Sequence, residues 1–415
     1  MGQSANLVSI PTLVESPFII ANIGGVEFGS FTASGCSAFG VLREAVYPNF
    51  MKSMTINKVN GTVNTYTINF SYQVRFGDDP NLLDKIFSQA TKDRKIILKY
   101  GDCNAPDYIY KEEKCIITNI TSNLNMNNAS IDYTLSCTSD AIGLASTTFN
   151  FPSREAKPSD VLMEMLSSPK YGIKQVFNGM TDKNQVLSNN LIASNDKKVN
   201  LAAQRGVTPI AYMNYLVDSM VNNTNNNDSG INNSKYYLTI HDDYTNNLGG
   251  TYFKVTEVNK NTKTLNSMDT YEVDVNYPGD NFVTQFSLNN DQSWAILYDY
   301  NQSIKQEEYS YSINDEGLIE TKYTPSLMKS ASGGLSAAKS EWWTKMTQFP
   351  VKATLTIKGL TRPSILMTYV KVNVLFNGSV KHISSGLYII TKQTDTIDAS
   401  GYKTTLELLR VGGDE

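Results

Sequence analysis

The chain has 415 residues, 40% of them hydrophobic and only 18% charged, with a net charge of −4. That length exceeds what a single core fills and predicts about two to four domains. Acids and bases are mixed along the chain, which excludes a basic footprint for gripping nucleic acid; a mildly acidic wall would still let DNA slide past without specific binding.

Residues 1–50 open with Phe18-Ile19-Ile20, Ile23-Gly24-Gly25-Val26 and Phe28-Gly29, which predict short strands joined by tight turns. Met54–Val59 and Thr62–Val74 flank Asn60-Gly61. That pair fits the positive φ angles of a type I′ turn, so a hairpin is predicted. In its second arm Tyr66, Ile68, Phe70, Tyr72 and Val74 face one way, and Thr67, Asn69, Ser71, Gln73 and Arg75 the other. Asp79-Pro80 reads as an N-cap with proline at the first helical position. Leu82, Leu83, Ile86, Phe87 and Ala90 then form one helical face. Strands resume at Ile96–Tyr100, Cys115–Ile120 and Ile131–Cys137. Residues 1–150 are therefore expected to form a first β domain with one helix strapped on.

Composition shifts at Phe151-Pro152. Pro158-Ser159 and Thr208-Pro209 start two helices; the apolar face of one is Val161, Leu162, Met165 and Leu166, and of the other Ile210, Met213, Leu216, Val217 and Met220. Asn222–Ser234 has almost nothing to bury and reads as a loop. Residues 151–235 thus predict a small helical domain with an Asn-rich loop. Tyr236–His241, Thr251–Val258, Tyr271–Val275, Phe282–Leu288 and Trp294–Tyr300 predict a further β-rich domain inserted over 236–328, followed by a connector at 329–344.

The segment 345–415 carries the clearest pattern: strands Val351–Lys358 and Tyr369–Phe376, an Asn377-Gly378 turn, strand Leu387–Gln393, a polar loop at Asp398–Gly401 and a closing strand Tyr402–Leu409. A looser copy of that grammar lies between Lys95 and Cys137. The predicted fold class is mainly β (α+β), with two β-barrel-like domains flanking the helical domain and the inserted one. Paired β-modules in one chain suggest a part that fills two equivalent places in a ring.

No stretch approaches the roughly 18 to 20 unbroken apolar residues of a membrane helix. Met1-Gly2-Gln3-Ser4 lacks the basic start and apolar core of a signal peptide, and Asn6 stands where a myristoylation signal has serine or threonine. The expectation is a soluble product made in a host cytoplasm.

The two histidines, His241 and His382, each sit beside a predicted strand, far apart in sequence. Nucleophilic catalysis needs one positioned imidazole, and both read more simply as strand-end residues. His241-Asp242-Asp243 places neighbours on opposite faces of a strand, which does not suit a metal. Cys36, Cys103, Cys115 and Cys137 are too few for a disulfide scaffold and contain no CxxC pair. The last three read as small apolar core residues. No phosphate loop, hydrolase elbow or HExxH occurs, and Gly35-Cys36-Ser37-Ala38-Phe39-Gly40 misses the elbow pattern. Asp242, Asp243, Asp299, Glu307 and Glu308 are the densest acids of the third region; a solvated face outweighs a glycosidase pair there. The chain is therefore expected to have no catalytic residue, no metal and no cofactor.

The final module resembles the baseplate hub family of contractile phage tails, which includes the late control protein D group and the hub part of type VI secretion spikes. The residues carrying the resemblance are Ala353-Thr354-Leu355-Thr356-Ile357-Lys358-Gly359, Val370–Val374, Gly386-Leu387-Tyr388-Ile389-Ile390-Thr391-Lys392-Gln393-Thr394-Asp395 and Gly401-Tyr402-Lys403-Thr404-Thr405-Leu406-Glu407-Leu408. Ile96–Gly101, Ile116–Ile120 and Ile131–Cys137 resemble the family's first tube domain, and Asp160–Phe177 with Pro209–Met220 its helical middle. Lys392-Gln393-Thr394 departs from the family's usual Val-x-His at that place. The resemblance implies a non-enzymatic virion protein of the tail baseplate: a homotrimer whose paired β domains form a ring between a six-fold tail tube and a three-fold central spike. Tube protein, spike protein, tape measure and baseplate wedge proteins are the implied partners, with the genome passing through the lumen. A distal tail protein or wedge adaptor shares this layout, and a virion-associated cell-wall or glycan hydrolase with Asp242, Asp243 and Asp299 is the reading from another class.

Overall fold

The computed structural model describes residues 17–29, 47–48, 50–93, 95–102, 111–168, 170, 198–220, 234–243, 250–259, 269–274, 283–290, 309–313, 319–323, 351–359 and 366–412. Most of the Asn-rich segment, the connector 329–344 and the strand expected at Trp294–Tyr300 lie outside those residues.

The N-terminal part contains β1 (Pro17–Ile23), β2 (Val26–Gly29), β3 (Tyr47–Pro48), β4 (Met51–Val59), β5 (Thr65–Gln73), α1 (Leu82–Asp93), β6 (Lys95–Asp102), β7 (Lys111–Asn125) and β8 (Ser130–Ser139). Period-two alternation decides the faces: Tyr66, Ile68, Phe70 and Tyr72 of β5 are buried, while Thr67, Asn69 and Ser71 look the other way. Helix α1 lays Leu83, Ile86 and Phe87 on the buried face. The Phe87 ring lies 5.4 Å from Phe70, 5.3 Å from Tyr133 and 6.1 Å from Phe28. The helix starts at Leu82, later than the Asp79-Pro80 cap predicts. Asp79 instead accepts the Asn81 N–H at 2.9 Å and the Lys85 ammonium at 2.6 Å, and the Lys85 bond holds its carboxyl below the usual value.

Asn60-Gly61 does not close a two-residue turn. β4 ends at Val59 and β5 begins at Thr65. Gly61, at φ 72°, donates its N–H to the Leu238 carbonyl at 2.7 Å and accepts from Asn214 Nδ2 at 2.7 Å. Tertiary contacts with the middle of the chain override the local turn preference.

That middle contains α2 (Gly143–Ser146), β9 (Phe149–Phe151), β10 (Arg154–Ala156), α3 (Pro158–Ser167), β11 (Val199–Leu201), β12 (Gln204–Val207), α4 (Pro209–Asp218), β13 (Ser234–Asp243) and β14 (Gly250–Asn259). Proline begins both longer helices, where a missing N–H costs nothing. Their apolar faces share one core with Leu238, Ile240, Phe253 and Val255, so the β13–β14 hairpin packs with the helices. Phe151 stacks on Tyr212 at 3.8 Å within it.

The remainder contains β15 (Asp269–Asp274), β16 (Val283–Asn290), β17 (Tyr309–Ile313), β18 (Ile319–Tyr323), β19 (Val351–Lys358), β20 (Tyr369–Phe376), β21 (Val380–Lys381), β22 (Gly386–Asp398) and β23 (Gly401–Gly412). β16 pairs with β19, and β15 pairs with β20. The strands expected to form one inserted domain over 236–328 are thus divided, some joining the helical core and some the C-terminal sheet. Sheet pairing follows contacts across a long insertion, which composition does not reveal.

The chain is mainly β. One 15-stranded sheet runs β16-β19-β23-β22-β4-β5-β8-β7-β6-β1-β2-β3, with β20 joined to β22 off that path. Among the described residues neither module closes into a barrel on itself. The N-terminal and C-terminal parts are instead fused edge to edge, through Lys392–Ile397 of β22 on Met54–Val59 of β4.

Candidate assembly interface

The fused sheet contains one five-strand unit twice. β4-β5-β8-β7-β6 and β16-β19-β23-β22-β20 have the same order and the same connectivity. Their irregularities coincide as well. β7 carries one extra residue, Thr118, between Ile117 and Asn119; β22 carries Thr391 between Ile390 and Lys392. Both extra residues are threonines that donate to a carbonyl across the bulge, Thr118 to Ser136 at 2.8 Å and Thr391 to Glu407 at 3.1 Å. β4 and β16 share a second bulge, between Met51 and Ser53 and between Val283 and Gln285. Bulges are specified features that set twist and aim, so two at matching places mark a true repeat.

Counting from these bulges aligns the copies. Thr121 matches Thr394, Ser122 matches Asp395 and Leu124 matches Ile397. Met54 matches Phe286, Ile56 matches Leu288 and Asn57 matches Asn289. Every step from β22 through β4, β5 and β8 to β7 is antiparallel, so β22 and β7 run in the same direction. The modules are related by rotation within the sheet, without reversal. The flanking strands depart from the repeat: β1 lies antiparallel to β6, whereas β15 lies parallel to β20.

One face of the sheet is apolar and covered; the other is a lawn of hydroxyls and amides. Thr134 donates to Asn69 Oδ1 at 2.9 Å and Asn69 to Ser53 Oγ at 2.9 Å. The Thr356 and Thr405 hydroxyls, at the corresponding place in the second module, lie 3.3 Å apart. Thr394 donates to Asn57 Oδ1 at 2.9 Å across the joint itself. Lys392 and Glu407 pair on the same face at 2.6 Å.

Beneath the joint lies a buried polar cluster. Glu113, 2% exposed, accepts from Lys58 Nζ at 2.5 Å, Tyr100 at 2.6 Å and Tyr66 at 2.7 Å. From the other module, Asp395 accepts from Gln393 and Thr404, each at 2.6 Å, and is bonded to Tyr402. The Tyr100 and Tyr402 rings meet at 6.4 Å. Burial first, then the nearby Glu113 and Asp395 carboxylates, hold both phenols well above their usual 10.0; burial pushes Tyr388 up to about 12. Because folding favours the neutral phenol, this stability is complete below about pH 10 and is lost as pH rises through the folded values. The urea midpoint should therefore hold from neutral pH to about 9 and fall above about 10, with a shallower fall in Tyr100→Phe. A flat profile to pH 12 would contradict the burial of these rings.

The residues singled out for chemistry are scattered. His241, Asp242 and Asp243 lie at the end of β13, in register with Tyr252, Thr251 and Gly250. His382 follows β21; its Nδ1 lies 2.7 Å from Ser384 Oγ and accepts the Ser384 N–H, so it shapes a turn before β22. Cys115 and Cys137 are buried in the N-terminal core, as their apolar reading predicts. Asp299, Glu307, Glu308, Cys36 and Cys103 lie outside the described residues. Among the described residues no group of three metal-ligating side chains forms. The sequence reading missed the Lys58–Glu113 and Asp395 cluster. A period-two count could have found it, since Lys58 follows Met54 and Ile56 inward, and Glu113 shares its face with Cys115.

No protein-family model matches the sequence, and no curated protein matches it. The fold does match solved structures. The 43 kDa tail protein of prophage MuSo2 from Shewanella oneidensis is 10% identical over 95% of this chain and 99% of its own, with a TM-score of 0.50. A tail protein from Neisseria meningitidis MC58 is 10% identical, covering 95% and 97%, with a TM-score of 0.46. A type VI secretion system component from E. coli is 8% identical, covering 87% and 73%, with a TM-score of 0.43. The first likeness spans nearly the whole of both chains, and it establishes a shared fold.

Proposed function

We propose that the protein is a structural, non-enzymatic hub of a phage tail baseplate. In this reading copies of the chain close into a homotrimeric ring in the virion, between a six-fold tail tube and a three-fold central spike. The observation that carries the proposal is the repeated five-strand unit: two modules of the same direction and the same bulges, side by side in one sheet, present each chain as two successive stations of a ring. The polar face suits a wet lumen. Its threonine, serine and asparagine ladder offers hydrogen bonds in every direction and little net charge, so DNA can pass without being held. The fold shared with a prophage tail protein supports the same reading. Tube and spike proteins are the direct partners, with the tape measure and wedge proteins as neighbours.

Mass measurement of the purified chain with electron-microscopy class averages tests this. The expected result is a ring of three chains whose projection shows six similar lobes. A chain that stays monomeric even with tube and spike proteins present would sink the proposal. Six chains per ring would favour a distal tail protein or wedge adaptor instead.

A further inference from the structure

The joint between the two modules is made once within the chain, and its two halves occur a second time without being joined. β22 offers Lys392–Ile397, and β4 covers it. The matching edge on β7 is Asn119–Leu124, and the matching cover is β16. Among the described residues no strand pairs with β7 beyond Ile116 on that side, or with the outer edge of β16. The consequence is visible in burial: Ile397 is 2% exposed, whereas its counterpart Leu124 is 73% exposed. Leu288, the counterpart of fully buried Ile56, is 41% exposed.

Resting on the hub reading, we infer that β16 of one copy adds to the β7 edge of the next copy in the register that β4 takes on β22. Transferring that register residue by residue sets Thr121 opposite Asn289, Ser122 opposite Leu288, Asn123 opposite Ser287 and Leu124 opposite Phe286. The side chains agree with the transfer. Within the chain, Thr394 donates to Asn57 across the joint. Between copies the same two positions hold Thr121 and Asn289, again a threonine facing an asparagine. On the covered face Leu124 meets Phe286, with Leu288 beside it, where the internal joint has Ile397 and Met54. The two faces of the new joint are thus polar and apolar in the same sense as the old one. Main-chain hydrogen bonds supply affinity and the alternate side chains fix register. The occupant is a second copy because, among the described residues, β16 is the only strand that repeats β4. The joint is head to tail, so it closes into a ring once rotation completes a circle.

The joint differs from its counterpart in charge. Asp395, which binds Gln393, Thr404 and Tyr402 inside the internal joint, is replaced by Ser122. The two joints therefore differ in polarity on the β22 and β7 side, while β4 and β16 each set an aliphatic residue, Ile56 or Leu288, at the facing place.

Engineered cysteines read the register directly, since residues opposed across antiparallel strands lie within disulfide reach. Thr121→Cys with Asn289→Cys should give covalent oligomers under mild oxidation, ending at a closed species of three chains. Asn123→Cys with Ser287→Cys should do the same, whereas the mismatched Thr121→Cys with Gln285→Cys should give little. Asn57→Cys with Thr394→Cys serves as the internal control, cross-linking within one chain. Leu124→Arg should weaken assembly by at least about tenfold while leaving the unfolding midpoint unchanged. A ring of the expected mass that fails to cross-link at either matched pair overturns this joint and leaves the hub reading standing. An open ladder without a closed species keeps the joint and overturns the three-chain ring. A chain that stays monomeric at every concentration overturns both.

Discussion

Replacing Glu113 by alanine should lower stability by about 3–5 kcal/mol, the cost of breaking a buried ion pair by removing one partner. The carboxylate is the shared acceptor of Lys58, Tyr66 and Tyr100. Its loss strips the buried ammonium of its carboxylate and removes the acceptor of two buried hydroxyls. Urea denaturation measures the effect, and a double-mutant cycle with Lys58→Met isolates the pair. The double variant should be less damaged than the sum of the single ones, because a well-packed apolar replacement of a buried pair costs little. Strict additivity would show that the two groups do not interact. The joint should suffer with the fold, since Asp395 and Tyr402 of the other module meet the same cluster through Tyr100.

Phe87→Ala should cost about 3–5 kcal/mol, the range for deleting a buried phenylalanine and leaving a cavity. Phe87 is 1% exposed and its ring touches those of Phe28, Phe70 and Tyr133. With Leu83 and Ile86 it fastens α1 to the sheet. Thermal unfolding followed by circular dichroism gives the number; a loss below about 1 kcal/mol would mean the cavity collapses, or that the helix contributes little to the N-terminal core. Exposed Lys85→Ala on the same helix serves as the control, with an expected change within about 0.5 kcal/mol.

How far the sequence revealed all this depended on whether the information was local. β19 was legible because Val351, Ala353, Leu355 and Ile357 alternate without interruption, and all four are buried. β5 and β8 were legible for the same reason. The repeat was read too short. The pattern places its N-terminal copy from Lys95, yet that copy begins at Met51, since β4 and β5 are its first two strands. The pattern places the C-terminal copy from Val351, yet that copy begins at Val283. Residues 291–350 separate β16 from the strand it pairs with, and no local pattern spans such a gap. Thr118 and Thr391 look like ordinary strand threonines until pairing shows that each is the extra residue of a bulge. The candidate interface was half legible. The alternating polar face could be read directly, whereas the exposed Leu124 and Leu288 look like routine strand residues until the register is known.

The β7–β8 hairpin tip has a further consequence. Met126 stands there 91% exposed, and Phe76, two residues beyond Val74, whose N–H bonds the Ala129 carbonyl of the tip at 2.9 Å, is fully exposed. Its counterpart in the second module, counted from the same bulge, is Ala399, in the polar turn Asp398–Gly401. The lining of the sheet thus recurs with every module, while the rim recurs only with every chain. In a circle of such chains, a neighbour resting on the lining finds twice as many similar footholds as one resting on the rim. Under the hub proposal, one polypeptide would thereby change the rotational order between tube and spike without an adaptor.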